Sequence, residues 1–249
     1  GMGDEWPRGT LGTVRNAVSL LELLSHGPAY QQLTELAERS GLSLPTVHRL
    51  LRSLALSHLV EQDPDSLRYS LGPQLVRLSE RYLARLPVVR TLAPYLVELR
   101  DATKATILVS VLVDGSVISV DRVDGEDTGG VFRETSRLRP ALDTAAGRVL
   151  LAHSPPELWA DVLAAVGDGG KKFSSKDQKQ WAETPSIVVA DDLNRRVEVA
   201  VPVFGEGVRA AAALSAVGGS DTLREERLDD VASQLLQAAG AATRGLGHG

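Results

Sequence analysis

The 249-residue chain has no cysteine, which removes disulfide frameworks, thiolate nucleophiles, iron–sulfur clusters and cysteine-ligated zinc. A reducing compartment is the expectation. Aromatic residues are scarce at 4%. No apolar stretch reaches the roughly 18 residues that a membrane span needs. The opening segment GMGDEWPRG lacks the basic stretch and apolar stretch of a secretory leader, so cytoplasmic residence is expected. Gly1 ahead of Met2 reads as the remnant of a removed tag. Signatures of catalysis are missing too. Gly170-Lys171 lacks the spacing of a phosphate loop, and no Gly-x-Ser-x-Gly elbow presents a nucleophile. The five histidines show no metal-ligand spacing. The expectation is a protein that is not an enzyme and has no cofactor and no metal.

What remains is the balance of a folded globular chain, with 43% hydrophobic and 24% charged residues and a length suited to two ordinary domains. The net charge of −5 is unevenly placed. Up to Leu86 nine arginines offset nine carboxylates, so the whole negative excess lies downstream. Between Arg39 and Val60 there are three arginines and two histidines and no carboxylate at all. Such a local basic strip suits a polyanion.

Val14, Ala17, Val18, Leu21 and Leu24 repeat at helical spacing until Gly27-Pro28 stops the pattern. Leu33, Leu36 and Ala37 predict a shorter helix ending at Gly41. Ser43 caps a third helix, which tolerates Pro45 in its first turn and buries Val47, Leu50, Leu51 and Leu54. Its other face shows Pro45, Thr46, His48, Arg49, Arg52 and Ser53. Two helices around a glycine turn, the second with a basic outward face, form a helix-turn-helix that can enter a major groove. Short strands at 59–62 and 67–71 flank the turn Asp63-Pro64-Asp65-Ser66 and add a wing, where Arg68 could reach a phosphate.

Residues 73–86 predict a linker helix carrying Leu75, Leu78 and Tyr82, which Pro87 ends before a further helix. A hairpin follows around Asp114-Gly115, then helices at 144–153 and 156–166, and strands at 187–190, 197–204 and 208–217. Gly205-Glu206-Gly207 reads as the turn between the last two strands. Thr222-x-x-Glu225 predicts a capping box that starts a closing helix. The fold class is multidomain α+β. A winged helix-turn-helix occupies 1–72 and a linker helix 73–86, and a domain on a largely antiparallel sheet fills 87–249.

The segments RNAVSLLELLSHG, LTELAERSGLSLPTVHRLLRSL, LRYSLGPQLVRL, RPALDTAAGRVLLAH and VEVAVPVFGEGVRAAAALSAVGG together resemble the IclR type of bacterial transcription regulator, in that family's order over nearly the whole chain. The resemblance implies a GAF-like effector-binding second domain. Because one winged helix has too few basic residues for tight specific binding, a homodimer or dimer of dimers on a palindromic double-stranded operator is expected. DNA contacts are expected from Ser43, Pro45, Thr46, His48, Arg49, Arg52 and Arg68. The effector site is expected at Asp143, Thr144, Ala145, Ala146, Gly147, Asp192, Val201, Leu214 and Ser215. The chain departs from the family pattern at Leu142, where a histidine is usual, and at Asp143, where a small residue is usual. Asp143 could cap the helix-start amides that would otherwise receive an acidic ligand, and with Asp192 would turn the pocket toward hydroxyl, amide or amine ligands. The rival reading is a small-molecule binding or enzymatic second domain, with the winged helix used for protein contacts.

Overall fold

The computed structural model describes residues 7–126, 138–193, 195–205 and 210–246. Contacts divide the chain into two compact units, Gly1–Tyr82 and Leu83–Gly249.

The first unit opens with α1 (Gly12–Leu24), α2 (Leu33–Ser40) and α3 (Leu44–Leu56). Leu20, Leu24, Leu36, Val47, Leu50, Leu51 and Leu54 meet in one aliphatic core. Gly41 ends α2 with φ 71°, the left-handed conformation that a residue without Cβ adopts most cheaply. Buried Gln31 ties the preceding loop together. Its Nε2 donates to the carbonyls of Leu23, His26 and Pro28, and its Oε1 accepts from Arg39 at 2.6 Å. Strands β1 (Val60–Gln62) and β2 (Tyr69–Leu71) pair antiparallel as the wing. A side chain at Gly72 would sit 2.3 Å from the His58 carbonyl, so only glycine lets the wing return against the end of α3. Helix α4 (Gln74–Ala84) follows and buries none of its residues.

The second unit begins with α5 (Pro87–Thr103), then β3 (Thr106–Val113) and β4 (Ser116–Val123) joined at Asp114-Gly115. Next come β5 (Leu138–Pro140), a 3₁₀ turn at Ala141–Asp143, α6 (Ala145–Ala152), α7 (Pro156–Val166) and α8 (Ser175–Glu183). Strands β6 (Ile187–Asp191), β7 (Arg196–Phe204) and β8 (Ala210–Gly219) precede the closing α9 (Leu228–Leu246). The sheet is antiparallel throughout, in the order β5-β4-β3-β8-β7-β6. Strand alternation sends Ile107, Val109, Val199, Val201, Val203, Leu214 and Ala216 to the face covered by α5 and α9. Val117, Ile187, Ala200 and Ala213 face α6 and α7 on the other side.

The sequence pattern misses β5 and α8, since a three-residue strand leaves no alternation to read and α8 is almost wholly polar. The closing helix also starts later than the capping box predicts. Glu225–Arg227 form a 3₁₀ turn, and α9 begins at Leu228. Of the expected Gly205-Glu206-Gly207 turn, Glu206 and Gly207 lie outside the described residues.

Candidate nucleic-acid interface and effector pocket

The start of α3 is built by its own residues. Ser43 accepts from the Thr46 amide at 3.4 Å, and the two hydroxyls share a hydrogen bond at 2.7 Å. Pro45 sits in the first turn, where a missing N–H costs nothing. Val47, Leu50, Leu51 and Leu54 then pin the inner face, leaving Ser43, Pro45, His48, Arg49 and Arg52 exposed and Thr46 partly so. Among the described residues no ion pair involves Arg49 or Arg52. Arg39, though exposed, donates from Nη1 to Gln31 Oε1 at 2.6 Å and so helps to hold the loop before α2.

Arg68 is exposed on the wing but has acidic company. Asp63 accepts from the Ser66 amide at 3.0 Å and the Ser66 hydroxyl at 2.6 Å, and these bonds hold its carboxyl below the usual aspartate range. With Glu61 and Asp65 also exposed, the wing carries three acids against one arginine, a poor phosphate-binding balance.

In the second unit a cavity of about 620 Å³ opens beside the start of α6. Of the expected effector residues it is lined by Asp143, Thr144 and Asp192. The others sit elsewhere. Ala145 and Ala146 are fully buried in the α6 core. Gly147 is a packing residue, because a side chain there would meet the Ala141 carbonyl at 2.0 Å. Val201 and Leu214 belong to the core against α5 and α9, on the opposite sheet face. Ser215 is fully buried, and its hydroxyl has no hydrogen-bond partner among the described residues. The misplacement of Val201 and Leu214 is a parity error, since side chains one position apart in a strand point to opposite faces.

The capping expected of Asp143 is made by two other residues. Thr144 Oγ1 accepts from the Gly147 amide at 2.9 Å, and Glu198 Oε1 from β7 accepts from the Ala146 amide at 2.7 Å. Glu198 Oε2 also accepts from Arg139 Nη1 at 2.7 Å, with both side chains more than nine-tenths buried. Asp143 itself is exposed at the cavity mouth. Three arginines, Arg139, Arg148 and Arg196, face three aspartates, Asp143, Asp191 and Asp192, around the wall. The two-acid pocket expected from sequence is therefore charge-balanced. Arg148 donates from Nε to the Leu142 carbonyl at 2.8 Å and lies 5.4 Å from the Phe173 ring and 5.3 Å from the Trp181 ring. Burial pushes its pKa down, with Asp143 and Asp177 opposing. The one sign in the sequence that could have flagged Glu198 is its acid among apolar neighbours in VEVAV, a break in a buried strand.

Comparison with known proteins matches residues 13–64 to the IclR helix-turn-helix domain and residues 80–168 to the bacterial transcriptional regulator IclR C-terminal family, together more than half of the chain. The HTH-type transcriptional regulator XynR of Escherichia coli is 24% identical over 259 residues, covering 95% of this chain and 97% of its own. The crystal structure of an IclR family transcriptional regulator from Brucella abortus superposes with a TM-score of 0.82 at 21% identity, over 98% of this chain and 96% of that one. An IclR homologue from Microbacterium hydrocarbonoxydans, crystallised with 4-hydroxybenzoate, gives 0.70 at 22% identity over 94% and 99%.

Proposed function

The chain belongs to the IclR family of bacterial transcription regulators, and from that premise we propose how its two units divide the work. It is a DNA-binding regulator whose operator affinity responds to a small effector. Helix α3 enters the major groove of a palindromic operator in the cytoplasm and reads it through Ser43, Pro45, Thr46, His48, Arg49 and Arg52, while Arg68 makes at most a marginal phosphate contact. The functional species is a homodimer or a dimer of dimers. One α3 offers only two unpaired arginines, and paired half-sites double that number. Exposed Leu11, Val14 and Val18 on and beside α1, with Val76, Leu78 and Tyr82 on α4, supply apolar surface for pairing. The effector enters the cavity at Asp143, Thr144 and Asp192. It shifts operator affinity by binding one conformation of the chain better than another.

The observation that carries this reading is the exposed face of α3, which holds arginines with no acid to neutralise them. Selection of bound duplexes from random DNA tests it. The expected product is a palindrome with half-sites about 10 base pairs apart or a multiple of that, whose affinity falls steeply with salt. Absence of sequence enrichment, or salt-insensitive binding, overturns it.

A further inference from the structure

We propose that Glu198 stands in for a ligand carboxylate: from within the chain it takes the donors at the start of α6 that would otherwise hold an acidic effector, leaving the neighbouring cavity to an uncharged effector rich in hydroxyl or carbonyl oxygens. The inference rests on the effector-binding reading of the second unit and names the ligand class of that site.

A helix start binds anions through amides that lack intrahelical acceptors. In α6 the Ala146 amide is held by Glu198 and the Gly147 amide by Thr144. Glu198 arrives with its own guanidinium partner, Arg139. The two residues come from β7 and β5, with β8, β3 and β4 between them in the sheet, so their side chains reach toward each other across the face that α6 covers. An external carboxylate would have to displace Glu198 from both donors, or sit beside it on a wall where Asp143, Asp191 and Asp192 outnumber Arg148 and Arg196, the two arginines left once Arg139 is paired with Glu198. Either route sets like charges together in a poorly solvated place.

The same region has unmet needs of another kind. Arg139 Nη2 is buried without an acceptor among the described residues, and Arg139 lines the cavity. The hydroxyls of Ser110 and Ser215 are also buried without partners among the described residues. Strand parity and pairing put both serines on the Glu198 face, on β3 and β8 between the strands that carry the ion pair. Arg139 Nη2 needs an acceptor, and each serine can accept or donate. Of the three, Arg139 lines the cavity, and a neutral ligand oxygen there meets its need without a further negative charge.

Thermal unfolding of the full-length protein in sodium acetate or sodium formate, against matched sodium chloride, tests the proposal. Wild type should show no acetate-specific shift. Glu198→Ala should melt lower and recover by several degrees in acetate or formate, because the small acid refills the vacated position. The double variant Arg139→Met/Glu198→Ala should lose most of that recovery. A folded Glu198→Ala that ignores both anions overturns the proposal, as does a wild type that acetate stabilises equally, or one stabilised more by lactate than by lactamide. Should Glu198→Ala not fold, Glu198→Gln keeps the shape and leaves Arg139 unneutralised, so acetate should stabilise it from the cavity side, and no response overturns the inference. Operator binding measured in parallel separates the two readings: its failure in wild type counts against the regulator function and leaves the acetate result intact.

Discussion

The two candidate sites are built on opposite plans. On α3 the inner residues Val47, Leu50, Leu51 and Leu54 hold the fold, while Arg49 and Arg52 take no part in it. In the second unit the residues around the pocket are the fold: Thr144 caps α6, Gly147 lets it pack on Ala141, and Glu198 and Arg139 lock its first turn to the sheet. A site whose side chains carry no structural duty can be rewritten by substitution with little effect on stability. One whose polar atoms are already paired inside the protein cannot lose a residue without losing structure, and its specificity follows from what the fold leaves unpaired.

The largest expected effect lies in the second unit. Glu198→Ala strands the Arg139 charge and one helix amide in the interior, a loss of about 3–5 kcal/mol by the usual cost of breaking a buried pair. Replacing both, as Arg139→Met with Glu198→Leu, should recover most of it, since a well-packed apolar pair carries no desolvation cost. Denaturant unfolding of the three proteins checks the ordering. Should the single variant prove as stable as wild type, the contrast between the sites collapses.

Next in size is Arg49→Ala, which should weaken operator binding by about 1–3 kcal/mol, or roughly 5- to 150-fold, while leaving the melting temperature unchanged. Titration of a labelled operator against the folded variant reads the first quantity, and calorimetry the second. A drop in stability with no loss of affinity would place Arg49 among the structural residues and reverse its assignment.

These two substitutions also mark what could be read from the sequence. The first unit was legible almost residue by residue, because α1, α2 and α3 are local patterns of helical spacing with Gly41 and Ser43 as punctuation. The central strands of the second unit were legible from their alternation. The architecture of the pocket was not. Arg139 and Glu198 are 59 positions apart and meet only after the sheet is assembled, and nothing local in LRP or VEVAV announces the partner. Asp143 was expected to cap α6 because it is an acid next to a helix start. Its neighbour Thr144 has the extended backbone of an N-cap, with φ −124° and ψ 148°, and takes the role. Val201 and Leu214 lie on the face opposite the cavity by simple strand alternation, and which face carries the cavity is decided only by where α6 packs.

A smaller effect is expected from Arg68→Ala. Glu61, Asp63 and Asp65 share the wing with that arginine and offset its charge, so its removal should change operator affinity by less than about 1 kcal/mol, the range of an exposed charge interaction. Asp65→Ala should strengthen binding slightly by relieving repulsion of the DNA backbone. Both shifts should shrink as salt rises. A loss at Arg68 as large as that at Arg49 would make the wing a second reading element.

The smallest expected effect again belongs to the second unit and comes from His153 at the end of α6. Its ring packs edge-on against Phe204 at 5.0 Å between centroids, in a groove that Glu183 and Arg244 also line. Burial lowers its pKa from the usual 6.5, because the charged imidazolium gives up solvent on folding. A base with a depressed folded pKa is protonated more readily when unfolded. Its contribution is therefore fully present above pH 6.5 and is lost as the pH falls from there through the folded value. Wild type should lose more stability than His153→Phe between about pH 7.5 and about pH 5.5, a window in which few other side chains titrate. The difference should be modest, since the ring is only partly buried, and melting curves of both proteins at the two pH values measure it. Parallel pH profiles would mean that His153 keeps its solvation in the folded state, and that the packed, structure-bearing character of the second unit does not extend to the end of α6.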